Sequence, residues 1–348
     1  MKKDADFAHI SEEVTYIPGL GFVPPDHGRA ALGRIRVMAN EICIILLICL
    51  FLRRILVFPF TYLGQLFGLD IIINYNTGLI VQSVEARAVT AFCINAVSLL
   101  AALVLHRLVF HRTFNHVSIF RRPIAGVSKI ALPIILAAGL LGVGAAFLMN
   151  RIFDAFGIVL NGIPDILTNV SGLTILILLN ALTAALLQEI LFRGAVLFPL
   201  RRFGDGFAVI ISAVLSAVSA DSPLTAVYAF AFGLAAGYFT VRSGSVLPAL
   251  AARLIFELLV IGVRFSFGML AGGWTDILIL AVALAILISA VVAYFYYVKA
   301  DPNAFRLANS PDAVGAGRKT AIFCSSLFFI LLVFTLLIRT INYLQIIG

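Results

Sequence analysis

Glu189 and Arg193 lie four residues apart in Leu187-Gln188-Glu189-Ile190-Leu191-Phe192-Arg193-Gly194, inside an otherwise apolar segment. A carboxylate there could serve as general base on a water, and a guanidinium could stabilise a developing oxyanion. The same spacing puts both groups on one face of a helix, where each partly neutralises the other. Arg253 and Glu257 repeat that spacing further along the chain. An ionisable side chain within hydrocarbon costs about 2.5 to 3.5 kcal/mol on insertion scales, so two such pairs need a reason. One reason is chemistry; the other is a charge-balanced network of Glu189, Arg193, Arg253 and Glu257 that locks two helices together. An arginine one turn away favours an ion-paired carboxylate over a free base, and the network is the reading these residues support.

The elements that carry the pairs are set by composition. Of 348 residues 62% are hydrophobic and 12% charged, with a mean hydropathy of +1.08. A water-soluble domain would carry about a quarter charged residues. The fold class is therefore all-α, a polytopic transmembrane bundle of eight or nine helices. Apolar runs long enough to cross about 30 Å of hydrocarbon are expected near 38–60, 86–110, 128–150, 171–192, 206–221, 224–241, 246–266, 274–298 and 320–343. The net charge of +8 is spread over loops and forms no tract that could follow a phosphate backbone, which argues against nucleic-acid binding. Lys and Arg gather after the second, fourth and eighth runs, and the intervening loops are poor in them. The positive-inside rule then predicts a cytoplasmic N-terminus and an external C-terminus.

Four regions follow: a cytosolic tail over 1–37, N-terminal helices and loops over 38–170, a core over 171–266, and C-terminal helices over 267–348. Arg53 and Arg54 fall within the first apolar run, where they must face the bundle interior, snorkel, or mark a shorter helix. Pro59 could supply a bend. A structural role is favoured for the two arginines over contact with an anionic lipid or a substrate. Residues 61–82, with several Gly and Asn, read as an external loop or re-entrant piece. Cys43, Cys49, Cys93 and Cys324 fit no zinc ribbon or disulfide framework, and no histidine follows His116. No metal or cofactor is expected. Gly233-Leu234-Ala235-Ala236-Gly237 offers a small-residue face for a close helix contact, with a partner or within the bundle.

Residues 171–262 resemble the core of the CAAX-protease and bacteriocin-processing family of intramembrane endopeptidases. Phe192-Arg193-Gly194, Pro223, Gly233, Gly237-Tyr238 and Arg242-Ser243-Gly244-Ser245-Val246-Leu247-Pro248 occur in that family's order and spacing. The family's chemistry, as the resemblance implies it, uses a double glutamate, two histidines and an asparagine. Here the first glutamate position holds Gln188, the first histidine Ala220, the second histidine Arg253, and the asparagine Phe256 or Glu257. Glutamine cannot accept a proton from water, alanine offers no hydrogen bond, and arginine is no acid-base catalyst. Glu189 is the one catalytic carboxylate that remains. From the span boundaries, Glu189 is expected toward the cytoplasmic end of its helix and Ala220 toward the outer end of the next.

The expectation is a catalytically silent relative in a bacterial plasma membrane. It would act as a scaffold or regulator that binds a partner membrane protein and lipids. Two alternatives stand beside it: a working endopeptidase with a site rearranged around Glu189, and a transporter of lipids or small molecules using Arg53, Arg54 and Arg253. Internal inverted repeats would mark the transporter, and the sequence displays none.

Overall fold

The computed structural model describes residues 15–17, 21–23, 27–74, 79–110, 120–160, 183–269, 274–307 and 314–346. A short antiparallel pair, β1 (Thr15–Ile17) and β2 (Gly21–Val23), precedes α1 (His27–Ile55). The expected tail therefore ends early: α1 starts at His27, well before the apolar run. Ala31, Leu32, Ile35, Met38, Ala39 and Ile42 recur at helical spacing and are buried, while Arg34 and Arg36 stay exposed. An amphipathic turn extends the helix beyond the bilayer segment. α1 breaks at Leu56 and resumes as α2 (Val57–Leu66). Pro59 has no N–H for the carbonyl of Ile55, which accounts for the interruption at that point. Residues 61–82 are thus the end of α2 followed by a hairpin, β3 (Ile71–Asn74) and β4 (Leu79–Gln82), with Ile71 opposite Gln82.

The hairpin leads into α3 (Val84–Phe110), then α4 (Ala125–Ala155) with Pro133 inside it, and β5 (Ile158–Leu160). The next described segment, α5, runs over 183–200. It winds as wide π turns at Thr183–Gln188 and Ile190–Val196 before tightening at Leu197–Leu200. α6 (Asp205–Val218), α7 (Pro223–Ser243), α8 (Leu247–Met269) and α9 (Trp274–Ala300) follow. α10 (Ala316–Cys324) and α11 (Leu327–Tyr343) meet at a 70° bend, and β6 (Leu344–Ile346) returns to pair antiparallel with β5.

Among the described residues five helices, α1, α3, α4, α7 and α9, are long and apolar enough to cross a membrane, and α10 with α11 makes a sixth if the bent pair is one span. The chain is an integral membrane protein, and the described residues hold fewer full spans than the nine apolar runs. α6 explains part of the difference. Its 14 residues reach only about 21 Å at 1.5 Å per residue, so it is a short helix packed inside the bundle. The run expected over 171–192 falls mostly outside the described residues.

Among the described residues, the buried apolar side chains form two cores. One joins α1, α3, α5, α6, the end of α7 and the α10–α11 pair; the other joins α4, α7, α8 and α9. α6 and α7 approach closely at Gly233. A side-chain carbon there would lie 3.1 Å from both the Ala213 Cα and the Arg193 Nη2. Gly237 likewise meets Leu197 and Val209. The small-residue face of α7 therefore serves packing within the chain, as small residues do where lipid supplies no hydrophobic drive between helices.

Contacts at the helix ends sort the loops into two groups. Lys319 donates to the Phe203 carbonyl at 2.8 Å, Ser326 meets Asn40 at 2.5 Å, and Arg242 pairs with Asp301. This end gathers Arg201, Arg202, Lys299, Arg306 and Arg318. At the opposite end Arg53 pairs with Asp221 at 3.3 Å, β5 meets β6, and Arg339 donates to the carbonyls of Val218 and Ala220. Those carbonyls belong to the last turn of α6 and the residues after it, so Arg339 caps α6 from across the bundle.

Candidate functional site

The Glu189–Arg193 pair is made by α5 alone. Arg193 Nε lies 3.3 Å from Glu189 Oε2, with the two residues 0% and 2% exposed. The wide winding of α5 loosens the ordinary hydrogen-bond ladder. One of its carbonyls, that of Phe192, accepts from the Leu197 N–H of α5 and also from Ser212 Oγ of α6 at 2.9 Å. Gly233 leaves room on α7 for the guanidinium, so the pair is seated between α5, α6 and α7.

Gln188, the preceding residue, lines a cavity of about 380 Å³ whose walls come from α1, α3, α4, α5, α6, α7 and α8. Its Oε1 accepts from Arg253 Nη2 at 3.3 Å, and Arg253 in turn pairs with Glu257 at 2.7 Å. Ala220, Phe256 and Glu257 line the same cavity. The four singled-out charged residues thus form two separate pairs. The bridge between α5 and α8 is the neutral Gln188, not Glu189. The difference in depth expected between Glu189, toward the cytoplasmic end of its helix, and Ala220, toward the outer end of the next, does not keep the motif positions apart, because Gln188, Ala220 and Arg253 share one cavity.

Aromatic rings hold Arg253 in place. Its Cζ lies 5.1 Å from the Tyr228 ring centroid and 5.4 Å from that of Phe232. Tyr228 stacks on Phe256 at 4.9 Å. α4 supports this layer closely: a side-chain carbon at Gly142 would come within 2.9 Å of the Tyr228 Cα. The helix that carries Tyr228 starts at a capping box, in which Ser222 Oγ accepts from the Thr225 N–H at 3.2 Å and Thr225 Oγ1 accepts from the Ser222 N–H at 3.0 Å. Pro223, at the first helical position, has no N–H that would need a partner.

The polar balance of the cavity is uneven. Arg253 Nε, Tyr228 OH, Ser219 Oγ and Arg53 Nε are buried atoms of lining residues without a hydrogen-bond acceptor among the described residues. The acceptors on the wall are already engaged: Gln188 and Glu257 by Arg253, Asp221 by Arg53. An unsatisfied buried donor costs about 1 to 3 kcal/mol, so the cavity favours an occupant that brings carbonyl or carboxylate oxygens. Water activation by Gln188 is chemically closed, and Glu257, the carboxylate beside it, is held by a cation. No group of three His, Cys, Asp or Glu side chains among the described residues is placed to hold a metal.

The sequence reading does not single out Tyr228, Ser219 or Asp221 as site residues, and it considers Arg53 only for a lipid or substrate contact. Tyr228 had a weak signal, standing one turn before Phe232 and just after the Ser222-Pro223 helix start. Ser219 had none, because a serine at a helix end reads as a capping residue.

No curated protein and no solved structure matches the chain. The α5–α8 region, with its Gln188–Arg253 bridge and close α6–α7 packing, is where a match does occur. Residues 170–259, about a quarter of the chain, match the family model for type II CAAX prenyl endopeptidase Rce1-like proteins, and this stretch is an Rce1-like domain of the CAAX-protease family.

Proposed function

We propose that this chain is a catalytically silent relative of the CAAX endopeptidases, a membrane scaffold that holds a partner membrane protein through the cavity beside α5. One observation carries the reading: the positions that would bear acid-base groups converge on one cavity and hold Gln188, Ala220, Arg253 and Phe256 or the cation-paired Glu257. The four buried donors supply an affinity for oxygen acceptors in place of the lost chemistry. About 380 Å³ admits a few side chains or a chain terminus but not a helix about 10 Å across. The partner therefore inserts a loop or an end, bringing free carbonyl or carboxylate oxygens. On this reading the end rich in Arg201, Arg202, Lys299 and Arg306 faces the cytoplasm.

The test is cross-linking from inside the cavity. A photo-reactive residue at position 220 should trap a full-length membrane protein, and Arg253→Met and Tyr228→Phe should each reduce the trapping at unchanged abundance. Trapped or co-purified fragments that become full-length in Glu189→Gln or Glu257→Gln would overturn the silent-relative reading and favour a working endopeptidase.

A further inference from the structure

A second cavity, of about 740 Å³, lies between α1, α3 and α11. Its apolar wall includes Leu47, Ile48, Phe51, Ile94 and Ile338, and Arg53, Arg54 and Arg339 line it as well. We infer that this groove binds an anionic phospholipid, with the phosphodiester at Arg53 and Arg54 and one acyl chain along the apolar wall.

Charge is the first argument. Three guanidiniums face one carboxylate, that of Asp221. Arg339 is committed to the carbonyls at the end of α6. Arg53 gives Asp221 one nitrogen at 3.3 Å, the Asp221 side chain is 71% exposed, and Arg53 Nε has no acceptor among the described residues. Arg54 has no ion pair among the described residues. A guanidinium offers a planar fork of donors that fits a phosphate better than a single exposed carboxylate uses it.

Position is the second argument. The arginines sit at the end of the α1 span, one residue before Ile55 in the case of Arg54, beside the Asp221 turn. Leu47 and Ile48 lie five to seven residues earlier on the same helix, about 8 to 10 Å deeper at 1.5 Å per residue. The groove therefore runs from a cationic rim at headgroup level into an apolar trough, with Phe51 and Ile338 exposed along it. A free phosphate would use the rim and leave the trough empty, whereas a lipid uses both.

Native mass spectrometry of the full chain, released from nanodiscs of mixed phosphatidylglycerol and phosphatidylcholine, tests this. The wild type should retain phosphatidylglycerol preferentially. Arg54→Gln should weaken retention about fivefold, the effect of about one interfacial cationic charge. Arg54 lines this groove and not the α5 cavity, so a loss there leaves the scaffold reading untouched. Ile94→Trp should lower retention of the lipid by filling the trough with the charges intact. Equal retention of the two lipids, or unchanged retention in Arg54→Gln, would overturn the inference. So would displacement of the lipid by inorganic phosphate with no effect of Ile94→Trp, which would mark an anion site without a lipid chain.

Discussion

Removing one member of the Glu189–Arg193 pair should destabilise the chain far more than removing both. The two groups are 3.3 Å apart and essentially without exposure. Arg193 Nη1 and Nη2 have no hydrogen-bond acceptor among the described residues, so Glu189 is what balances that charge. Glu189→Gln leaves a buried guanidinium without its counter-charge, and Arg193→Met leaves a buried carboxylate without one. Each should cost about 3 to 5 kcal/mol. The double variant buries neither charge and should be more stable than either single, a coupling of about 3 kcal/mol or more. Equilibrium unfolding by SDS titration in mixed micelles gives all four values. Single penalties below about 1 kcal/mol, or penalties that simply add, would refute the argument that the pair is a closed structural unit.

Gly233→Ala should destabilise by about 1 to 3 kcal/mol, because the new carbon meets Ala213 backbone and Arg193 at 3.1 Å. Gly144→Ala on α4 has open space around it and should be neutral or stabilising by up to about 1 kcal/mol; the same titration separates the two. Tyr228→Phe removes a buried hydroxyl without an acceptor among the described residues. The unoccupied protein should therefore be as stable as the wild type or more stable by about 1 kcal/mol, while cross-linking from position 220 falls.

Much of the bundle was legible because its signals are local. Apolar runs and their charged ends place most helices within a few residues, and the spacing of four in Glu189–Arg193 and Arg253–Glu257 reports pairs that one helix makes by itself. What was not legible depends on relations between helices. Gln188 meets Arg253 because α5 and α8 pack side by side, which no spacing encodes. The start of α1 was missed because its amphipathic first turns look like a polar tail when only hydropathy is followed. The run over 206–221 outlasts α6, which ends at Val218, because an apolar run of sixteen residues suits a buried short helix and its turn as well as part of a span. The role of Arg53 depends on Asp221, brought beside it from the α6–α7 turn.

The Arg53–Asp221 pair, with Leu50, belongs to the walls of both cavities. Arg53 can point its free donor toward one occupant only by changing what it offers the other. The proposed occupants of the two cavities would therefore be linked: whatever factor a phospholipid in the outer groove applied to affinity in the inner cavity, an inner occupant would apply in return to the phospholipid. If both proposed occupants bind, membrane composition becomes a variable of partner binding, and removing the shared guanidinium by Arg53→Met should make the two affinities independent.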